Sequence, residues 1–227
     1  MQVFCDFDGT ISKRDVTDLV LERFAPPEWH EIEDQWTKGK ITSAQCMQRQ
    51  VRLIRATGEE LDAFLDMVEI DDSFIAFKAF CDSKGLNLTV VSDGVDHFIE
   101  RVLARLGLSG IPVVANKLVI DPAKDDACFD LDFPFINAAC AAGSGVCKCN
   151  VVAPSGDDIY VGDGRSDFCV SNEAVTVFAK AKLADYCHQR RIPFIPYGSF
   201  ADVQAAVAGI LSSPPRQPFA LSVAKSA

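Results

Sequence analysis

The sequence predicts an α/β protein in which a parallel β-sheet core has helices on both faces and a helical cap inserted after the first strand. Three observations support this prediction. Strand-like apolar runs alternate with helix-like stretches over most of the 227 residues. Three of these runs end in an acidic or hydroxyl residue with a glycine close by. One long stretch near the N-terminus contains no convincing strand.

Five apolar runs are predicted to form the strands of the sheet. They comprise residues 2–5, 86–91, 158–161, 175–179 and 192–195. Helices are predicted between them from the spacing of apolar residues at i, i+3, i+4 and i+7. The clearest stripe runs from Val95 to Leu106, and further helices are predicted around residues 74–81 and 200–211.

The stretch over residues 14–72 is predicted to form a cap made of several helices. Breaks are expected at Ala25-Pro26-Pro27, Lys38-Gly39-Lys40 and Thr57-Gly58, where proline or glycine interrupts the helical pattern. The predicted α/β core therefore comprises residues 1–13 and 73–211. Residues 212–227 lack periodicity and are predicted to form a disordered tail.

Composition limits the partners and the compartment of the protein. The formal net charge of −10 disfavours binding to nucleic acid and to anionic membrane surfaces. No run of about 18 apolar residues predicts a membrane span. Nine cysteines without an apolar export segment predict reduced, mostly buried thiols and a cytoplasmic location. The oligomeric state is left open.

The strand-end residues predict the chemistry of the site. Ligands bind at the carboxyl ends of strands in an open parallel sheet, so Asp6, Asp8, Ser92, Asp163 and Asp167 are expected to converge there. Clustered carboxylates require a cation, and hard oxygen ligands suit Mg²⁺. Such a site can transfer a phosphoryl group, with a carboxylate as nucleophile and a second carboxylate as general acid and base. Asp6 is the predicted nucleophile, and Asp8 is the predicted acid and base.

A cationic side chain is also expected, to neutralise the charge on the phosphoryl oxygens. Lys148 is the preferred candidate because it lies between the second and third strand-end motifs. Four other lysines remain alternatives, namely Lys117, Lys124, Lys180 and Lys182.

Four segments together resemble the motifs of the haloacid-dehalogenase-like (HAD) superfamily, across roughly residues 2–180. Asp6-Phe7-Asp8-Gly9-Thr10 resembles its first motif, and Val90-Val91-Ser92-Asp93-Gly94 resembles its second. Lys148 resembles the third motif, and residues 162–167 (Gly-Asp-Gly-Arg-Ser-Asp) resemble the fourth. The resemblance implies a Rossmann-like core with a helical cap between the first two motifs.

The resemblance also implies roles for individual residues. Mg²⁺ would bind Asp6, the main-chain carbonyl of Asp8, and Asp163, with Asp167 supporting its water shell. Five residues would bind the substrate: Thr10, Ser92, Asp93, Gly94 and Lys148. The second aspartate, Asp8, indicates phosphoryl transfer, because dehalogenases of the superfamily lack it. The implied substrate is a small phosphorylated metabolite.

A more specific resemblance, carried by residues 4–11, 24–29 and the cysteine-rich segment around Cys147-Lys148-Cys149, is to the methionine-salvage phosphatases. Those enzymes act on 2-hydroxy-3-keto-5-methylthiopentenyl-1-phosphate. They carry Gly-Gly or a similar pair after the serine of the second motif, whereas this chain has Asp93-Gly94. Phosphoserine and phosphoethanolamine/phosphocholine phosphatases have a similar layout and remain alternatives, as does a phosphotransferase on the same core.

Other interpretations stay open for several residues. A non-catalytic phospho-acceptor or a metal-binding regulatory protein would use the same aspartates, although receivers of that kind lack a long helical insertion. Cys140, Cys147 and Cys149, with Cys128 as a possible fourth ligand, fit a zinc site or, as the preferred interpretation, ordinary thiols. Asp15 fits either a substrate contact or a surface charge, and Asp18 is predicted to lie on the surface.

Overall fold

The structure is a computed structural model that describes residues 1–121, 128–140, 143–152, 157–173 and 175–212. Lys124 lies outside the described residues. The predicted disordered tail over residues 212–227 also lies outside them, apart from Ser212, which ends the last helix.

A seven-stranded sheet forms the core, with the strand order β4-β3-β2-β1-β5-β6-β7. The strands are β1 (Gln2–Cys5), β2 (Asn87–Val95), β3 (Val113–Asp121), β4 (Cys128–Asp132), β5 (Ile159–Gly162), β6 (Thr176–Ala179) and β7 (Ile195–Pro196). β4 pairs antiparallel with β3, and the other neighbours pair in parallel. β1 lies between β2 and β5, so the carboxyl ends of these three strands meet at the centre of one sheet edge.

Nine helices are found among the described residues. They are α1 (Val16–Phe24), α2 (Trp29–Thr37), α3 (Ser43–Val51), α4 (Gly58–Leu65), α5 (Phe74–Ser83), α6 (Asp96–Arg105), α7 (Lys148–Val152), α8 (Ala181–Arg190) and α9 (Phe200–Ser212). Alternate residues of β1 pack on opposite faces of the sheet, as the strand geometry requires. Val3 and Cys5 join one apolar cluster and Phe4 joins another. The sheet is therefore covered on both faces, and the predicted fold class is confirmed.

The helices α1 to α4 lie between β1 and α5, where the sequence predicts the cap. Each predicted break coincides with the start or end of a helix, and Thr57 caps α4 by accepting a hydrogen bond from Glu60 N. The chain enters and leaves the cap through two strands of chain that lie side by side. Ser12 and Ile70 form an antiparallel β-bridge, and Asp71 N donates to Ile11 O at 2.8 Å. The domain boundaries at residues 13/14 and 72/73 stay a prediction.

The structure differs from the sequence prediction at both edges of the sheet. The strands β3 and β4 are not among the predicted strands, because Asn and Asp interrupt their apolar patterns and are depleted in strands. The strand predicted over residues 192–195 is wrong in its bounds, since β7 comprises Ile195 and Pro196. Pro193 and Pro196 lack the N–H groups that a longer ladder would use.

The described residues contain no helix that is both long and apolar enough to cross a membrane. The cytoplasmic location stays a prediction.

Candidate active site

The carboxyl ends of β1, β2 and β5 supply the predicted site residues. Asp6 directly follows β1, and its N–H donates to Val161 O on β5 at 2.9 Å. Ser92 lies in the irregular second half of β2, where the pairing with β3 shifts register. Asp163 directly follows β5. Parallel pairing therefore brings residues far apart in sequence to one place, as predicted.

Lys148 links the segment after β1 to the segment after β5 through its side chain. Its Nζ lies 2.8 Å from Asp6 Oδ2, 2.7 Å from Asp167 Oδ1 and 3.0 Å from Ser166 Oγ. The side chain is 0% exposed. Burial disfavours its charge, but the two carboxylates outweigh burial and hold the pKa of Lys148 above its usual value. The ammonium group is therefore charged at the base of the site.

The alternative lysines occupy other positions. Lys180 lies over the ring of Tyr197, at 5.1 Å from its centroid, and Lys182 lines the cavity above the site. Among the lysines that the structure describes, Lys148 forms the ion pair with Asp6.

Asp167 has all of its usual hydrogen-bond positions occupied by protein groups. Oδ1 accepts from Lys148 Nζ and from the Tyr160 hydroxyl at 2.5 Å. Oδ2 accepts from the main-chain N–H groups of Asp163 at 3.0 Å and Gly164 at 2.9 Å. Burial opposes the charge on Asp167, but Lys148 and these donors hold its pKa below the usual value. A carboxylate with four partners is suited to positioning Lys148 and the turn after β5.

Three carboxylates form a group that fits a hard cation. Single oxygen atoms of Asp6, Asp163 and Asp167 all lie within 4.8 Å of one another. Burial, followed by the charge of Asp167, raises the pKa of Asp6 well above its usual value. Burial also raises the pKa of Asp163, which accepts a hydrogen bond from Thr10 Oγ1 at 2.7 Å. A cation would relieve the cost of these charges, and the oxygen donors suit Mg²⁺.

Asp8 lies on the other side of Asp6, between the core and the first helix. Its Oδ1 accepts from Val16 N at 2.8 Å, and its Oδ2 accepts from Ser92 Oγ at 3.3 Å. Burial and then the charge of Asp15 raise the pKa of Asp8 well above its usual value. The shift favours the protonated form of Asp8, which is the form that a general acid uses.

Two glycines leave space for the carboxylates. A Cβ at Gly9 would lie 2.6 Å from Asp163 Oδ2, and the φ of +71° is unfavourable for other residues. A Cβ at Gly94 would lie 2.4 Å from Asp8 Oδ2. The substrate-binding role of Gly94 stays a prediction. Because Gly94 has no side chain, Asp8 and Ser92 can approach each other.

Asp93 faces the cap and a neighbouring loop. Its Oδ2 accepts from Ser43 Oγ on α3 at 2.9 Å, and its Oδ1 accepts from Val146 N at 3.0 Å. Asn116 on β3 donates to its main-chain carbonyl at 2.5 Å. The residue that departs from the usual second motif therefore joins α3 to the core, and it also lines the cavity described next.

A cavity of about 750 Å³ opens above the carboxylates, between the core and the helices α1 to α3. Asp6, Asp8, Ser92 and Asp163 line its floor. Its upper wall contains the acidic side chains Asp15, Asp18 and Glu33, together with other polar and apolar groups. Asp18 is an exposed residue of α1, as predicted, and it also lines this cavity.

Several residues at the site were not identified from the sequence. Tyr160 lies within β5 and its hydroxyl binds Asp167, while Ser166 binds Lys148. The Tyr197 hydroxyl lies 3.5 Å from Thr10 Oγ1 and 3.3 Å from Gly162 O. On α2, the centroid of the Trp36 ring lies 5.4 Å from the guanidinium carbon of Arg165. A tyrosine in a fully buried strand was the one available signal, because a buried hydroxyl requires a partner.

The fold and the site agree with one protein family. The model of the haloacid dehalogenase-like hydrolase family matches residues 3–171, so the chain belongs to that family. The predicted membership of the haloacid-dehalogenase-like superfamily is therefore confirmed.

Relatives of similar length are named as phosphatases. A protein of Brevibacillus brevis, named 2-hydroxy-3-keto-5-methylthiopentenyl-1-phosphate phosphatase, is 28% identical over 210 residues, which cover 88% of this chain and 92% of that protein. A protein of Bacillus mycoides with the same name is 29% identical over 220 residues, covering 93% and 97%.

Solved structures agree on the fold. A phospho-aspartyl intermediate analogue of phosphoserine phosphatase has a TM-score of 0.66 at 18% identity, covering 92% of this chain and 97% of that one. Cytosolic 5'-nucleotidase IIIB bound to cytidine has a TM-score of 0.60 at 14% identity, covering 92% and 85%. Structures at these low identities show that the fold is shared. They do not indicate which substrate this chain uses.

Proposed function

We propose that this chain is a magnesium-dependent phosphatase that hydrolyses a small phosphomonoester through a phosphoryl group carried transiently on Asp6. One observation carries the proposal: Asp6, Asp8, Ser92 and Asp163 line the floor of one cavity, and buried Lys148 touches Asp6 from below. A nucleophile, an acid, a hydroxyl donor and a fixed positive charge are thereby within reach of a single phosphoryl group.

In the first step, a carboxylate oxygen of Asp6 forms a bond to phosphorus while the bond from phosphorus to the ester oxygen breaks. Asp8 gives its proton to the departing alcohol. The raised pKa of Asp8 supports this role, because it favours the protonated form from which the proton is given. Ser92, which now donates to Asp8, is placed to donate to a phosphoryl oxygen.

In the second step, Asp8 takes a proton from a water molecule, whose oxygen attacks phosphorus. The bond between Asp6 and phosphorus breaks and inorganic phosphate leaves. Lys148 remains paired with Asp6 and Asp167 throughout, so it orients the nucleophile and offsets negative charge in both steps. The proton that Asp8 takes from water replaces the one that it gave to the alcohol, so the enzyme returns to its starting state.

The proposed magnesium ligands are Asp6, Asp163 and the main-chain carbonyl of Asp8. Bound there, the ion would neutralise charge on the phosphoryl oxygens. We assign Asp167 a supporting role because its oxygen atoms already have four protein partners. Thr10 supports the site in the same way, since its hydroxyl donates to Asp163.

Removal of magnesium is expected to abolish hydrolysis, because Asp6 and Asp163 would repel the phosphoryl oxygens without the ion. We expect EDTA to lower hydrolysis of para-nitrophenyl phosphate by at least about 100-fold, and excess Mg²⁺ to restore it. EDTA saturated with Mg²⁺ beforehand serves as the control and should leave the rate unchanged. Full activity in excess chelator would reject the metal assignment.

The preferred substrate is 2-hydroxy-3-keto-5-methylthiopentenyl-1-phosphate. Relatives that carry its name align over about nine tenths of this chain. This proposal predicts that this compound gives the highest kcat/KM in a panel of phosphomonoesters that also contains phosphoserine, phosphoethanolamine and phosphocholine.

The acidic wall of the cavity favours a second candidate substrate, a phosphomonoester that carries a positively charged amine. Asp15 caps the N-terminus of α1, and Asp18 lies in the first turn of that helix. Glu33 of α2 lines the same cavity. Burial and the charges of Asp15 and Glu33 raise the pKa of Asp18 to about 7. Such mutual repulsion would be relieved by a cationic group on the substrate. Phosphoethanolamine and phosphoserine both supply one.

Substitution of Glu33 separates the two candidates. If the substrate is an aminoalkyl phosphate, Glu33→Gln should lower kcat/KM for phosphoethanolamine by about tenfold while leaving para-nitrophenyl phosphate unaffected. Glu31→Gln is the matched control, because Glu31 lies on the same helix but is exposed. An equal effect of Glu33→Gln on both compounds would reject the amine-binding role and leave the methylthio substrate preferred.

A further inference from the structure

A cluster of thiols lies next to Lys148 at the start of α7. Cys147 and Cys149 flank Lys148 at the start of α7, and Cys140 approaches them from the preceding loop. The sulfur atoms of these three residues all lie within 4.8 Å of one another. The Cys147 and Cys149 sulfurs are 3.4 Å apart. The phosphatase reaction makes no use of these groups.

These spacings fit a tetrahedral thiolate site. A zinc–sulfur bond of about 2.3 Å places two sulfur ligands about 3.8 Å apart, which lies inside the observed range. Soft sulfur donors select zinc over magnesium, so the cluster would not compete with the aspartates for the same ion. Cys128, the fourth ligand considered from the sequence, lies on β4 opposite Asp121 and does not belong to the group.

A fourth sulfur is present near the cluster. Cys169 lies two residues after the short 3₁₀ turn at Arg165–Asp167. Like Cys128 it is outside the group of three sulfurs that all lie within 4.8 Å of one another, but unlike Cys128 its thiol interacts with Cys149. Burial, the hydrogen bond with Cys147 and the charge of Cys169 together raise the pKa of the Cys149 thiol. Several thiolates at one point repel one another, and a dication reverses that effect. Cys169 is therefore the candidate for the fourth ligand, supplied by a third segment of the chain.

The first half of the loop before Lys148 is exposed, whereas its end is anchored. Phe135 and Ile136 are 39% and 55% exposed, and Val146 is buried and donates to Asp93. Around Cys140 the described main-chain hydrogen bonds are short-range turns, together with a bond from Cys147 N to Phe135 O at 3.1 Å. A metal that crosslinks such a loop removes conformational freedom and stabilises the folded state.

From this geometry we propose that Cys140, Cys147, Cys149 and Cys169 bind one structural zinc ion. The ion would fasten Cys140 and the start of α7 to the segment after β5. Lys148 and Asp167 lie in those last two segments, so the zinc site would link the two elements that carry the catalytic ion pair. This proposal is independent of the phosphatase mechanism, because its tests measure metal content and absorption.

The first test is elemental analysis of the full chain purified from zinc-supplemented cells. We expect about one zinc per chain, released when a mercurial reagent blocks the thiols. Cys147→Ser combined with Cys149→Ser should lower the zinc content by at least about tenfold. Cys187→Ser is the matched control, because this buried thiol lies on α8 and outside the cluster.

The second test uses the unaltered chain, in case the double variant fails to fold. Cobalt(II) added to zinc-depleted protein should give an intense near-ultraviolet thiolate-to-metal absorption band that added zinc abolishes. Zinc-free protein from supplemented cells, together with absence of the cobalt band, would overturn the proposal. A disulfide between Cys147 and Cys149 in the freshly purified chain, detected by mass spectrometry, would also overturn it.

Discussion

Asp6→Asn is expected to abolish turnover, with kcat for para-nitrophenyl phosphate falling by at least about 10⁴-fold. An amide oxygen is too weak a nucleophile to attack phosphorus. The fold should survive, because Asn at this position can still accept the hydrogen bond from Phe7 N, and Lys148 keeps Asp167 and Ser166. Steady-state kinetics and the thermal unfolding temperature measure the two effects separately.

Asp34→Asn is the matched control for this substitution. It makes the same chemical change at an exposed carboxylate that pairs with Lys38 on the surface. We expect turnover and unfolding temperature close to those of the unaltered protein. Hydrolysis by Asp6→Asn within about tenfold of the original rate would remove Asp6 from the role of nucleophile.

Lys148→Met is expected to lower both the rate and the stability. It leaves Asp6 and Asp167 as neighbouring buried carboxylates without their shared partner. Breaking a buried ion pair in this way costs about 3–5 kcal/mol of unfolding free energy. Loss of the positive charge should lower kcat by about 10²- to 10³-fold. Chemical denaturation and kinetics provide the measurements.

A second substitution distinguishes the two effects of Lys148. Lys148→Met combined with Asp167→Asn removes one of the stranded charges, so the double variant should regain much of the stability while remaining slow. Lys182→Met is the matched control, since Lys182 lines the cavity without pairing to Asp6 or Asp167 in the described structure. Recovery of the rate together with stability would show that Lys148 acts on folding alone.

The central features of the fold and the site follow from local sequence signals. β1, β2 and β5 are short apolar runs that end in Asp6, Ser92 and Asp163, and parallel pairing forces such ends together. The cap helices were predicted because proline, glycine and capping residues separate their apolar stripes. Lys148 was preferred among five lysines through its place between motifs, and the ion pair with Asp6 supports that preference.

Features that depend on tertiary contacts could not be predicted. Nothing local to Tyr160 or Ser166 indicates that they bind Asp167 and Lys148, because those partners come from other segments. Asp18 has the pattern of a surface helix residue, and its position in the cavity depends on how α1 packs over the core. The direction of the Asp93 side chain likewise depends on Ser43, which is 50 residues away.

Direct detection of a phosphoryl group on Asp6 tests the central claim. In Asp8→Asn the residue that activates water is lost. Para-nitrophenolate is a weak base and departs without a proton from Asp8, so the first step continues and the phosphorylated form should accumulate when para-nitrophenyl phosphate is added. Acid quenching followed by peptide mass spectrometry should place one phosphoryl group on Asp6. Turnover by the unaltered enzyme with no phosphorylated residue in either protein, or with the group on a different side chain, would contradict the account.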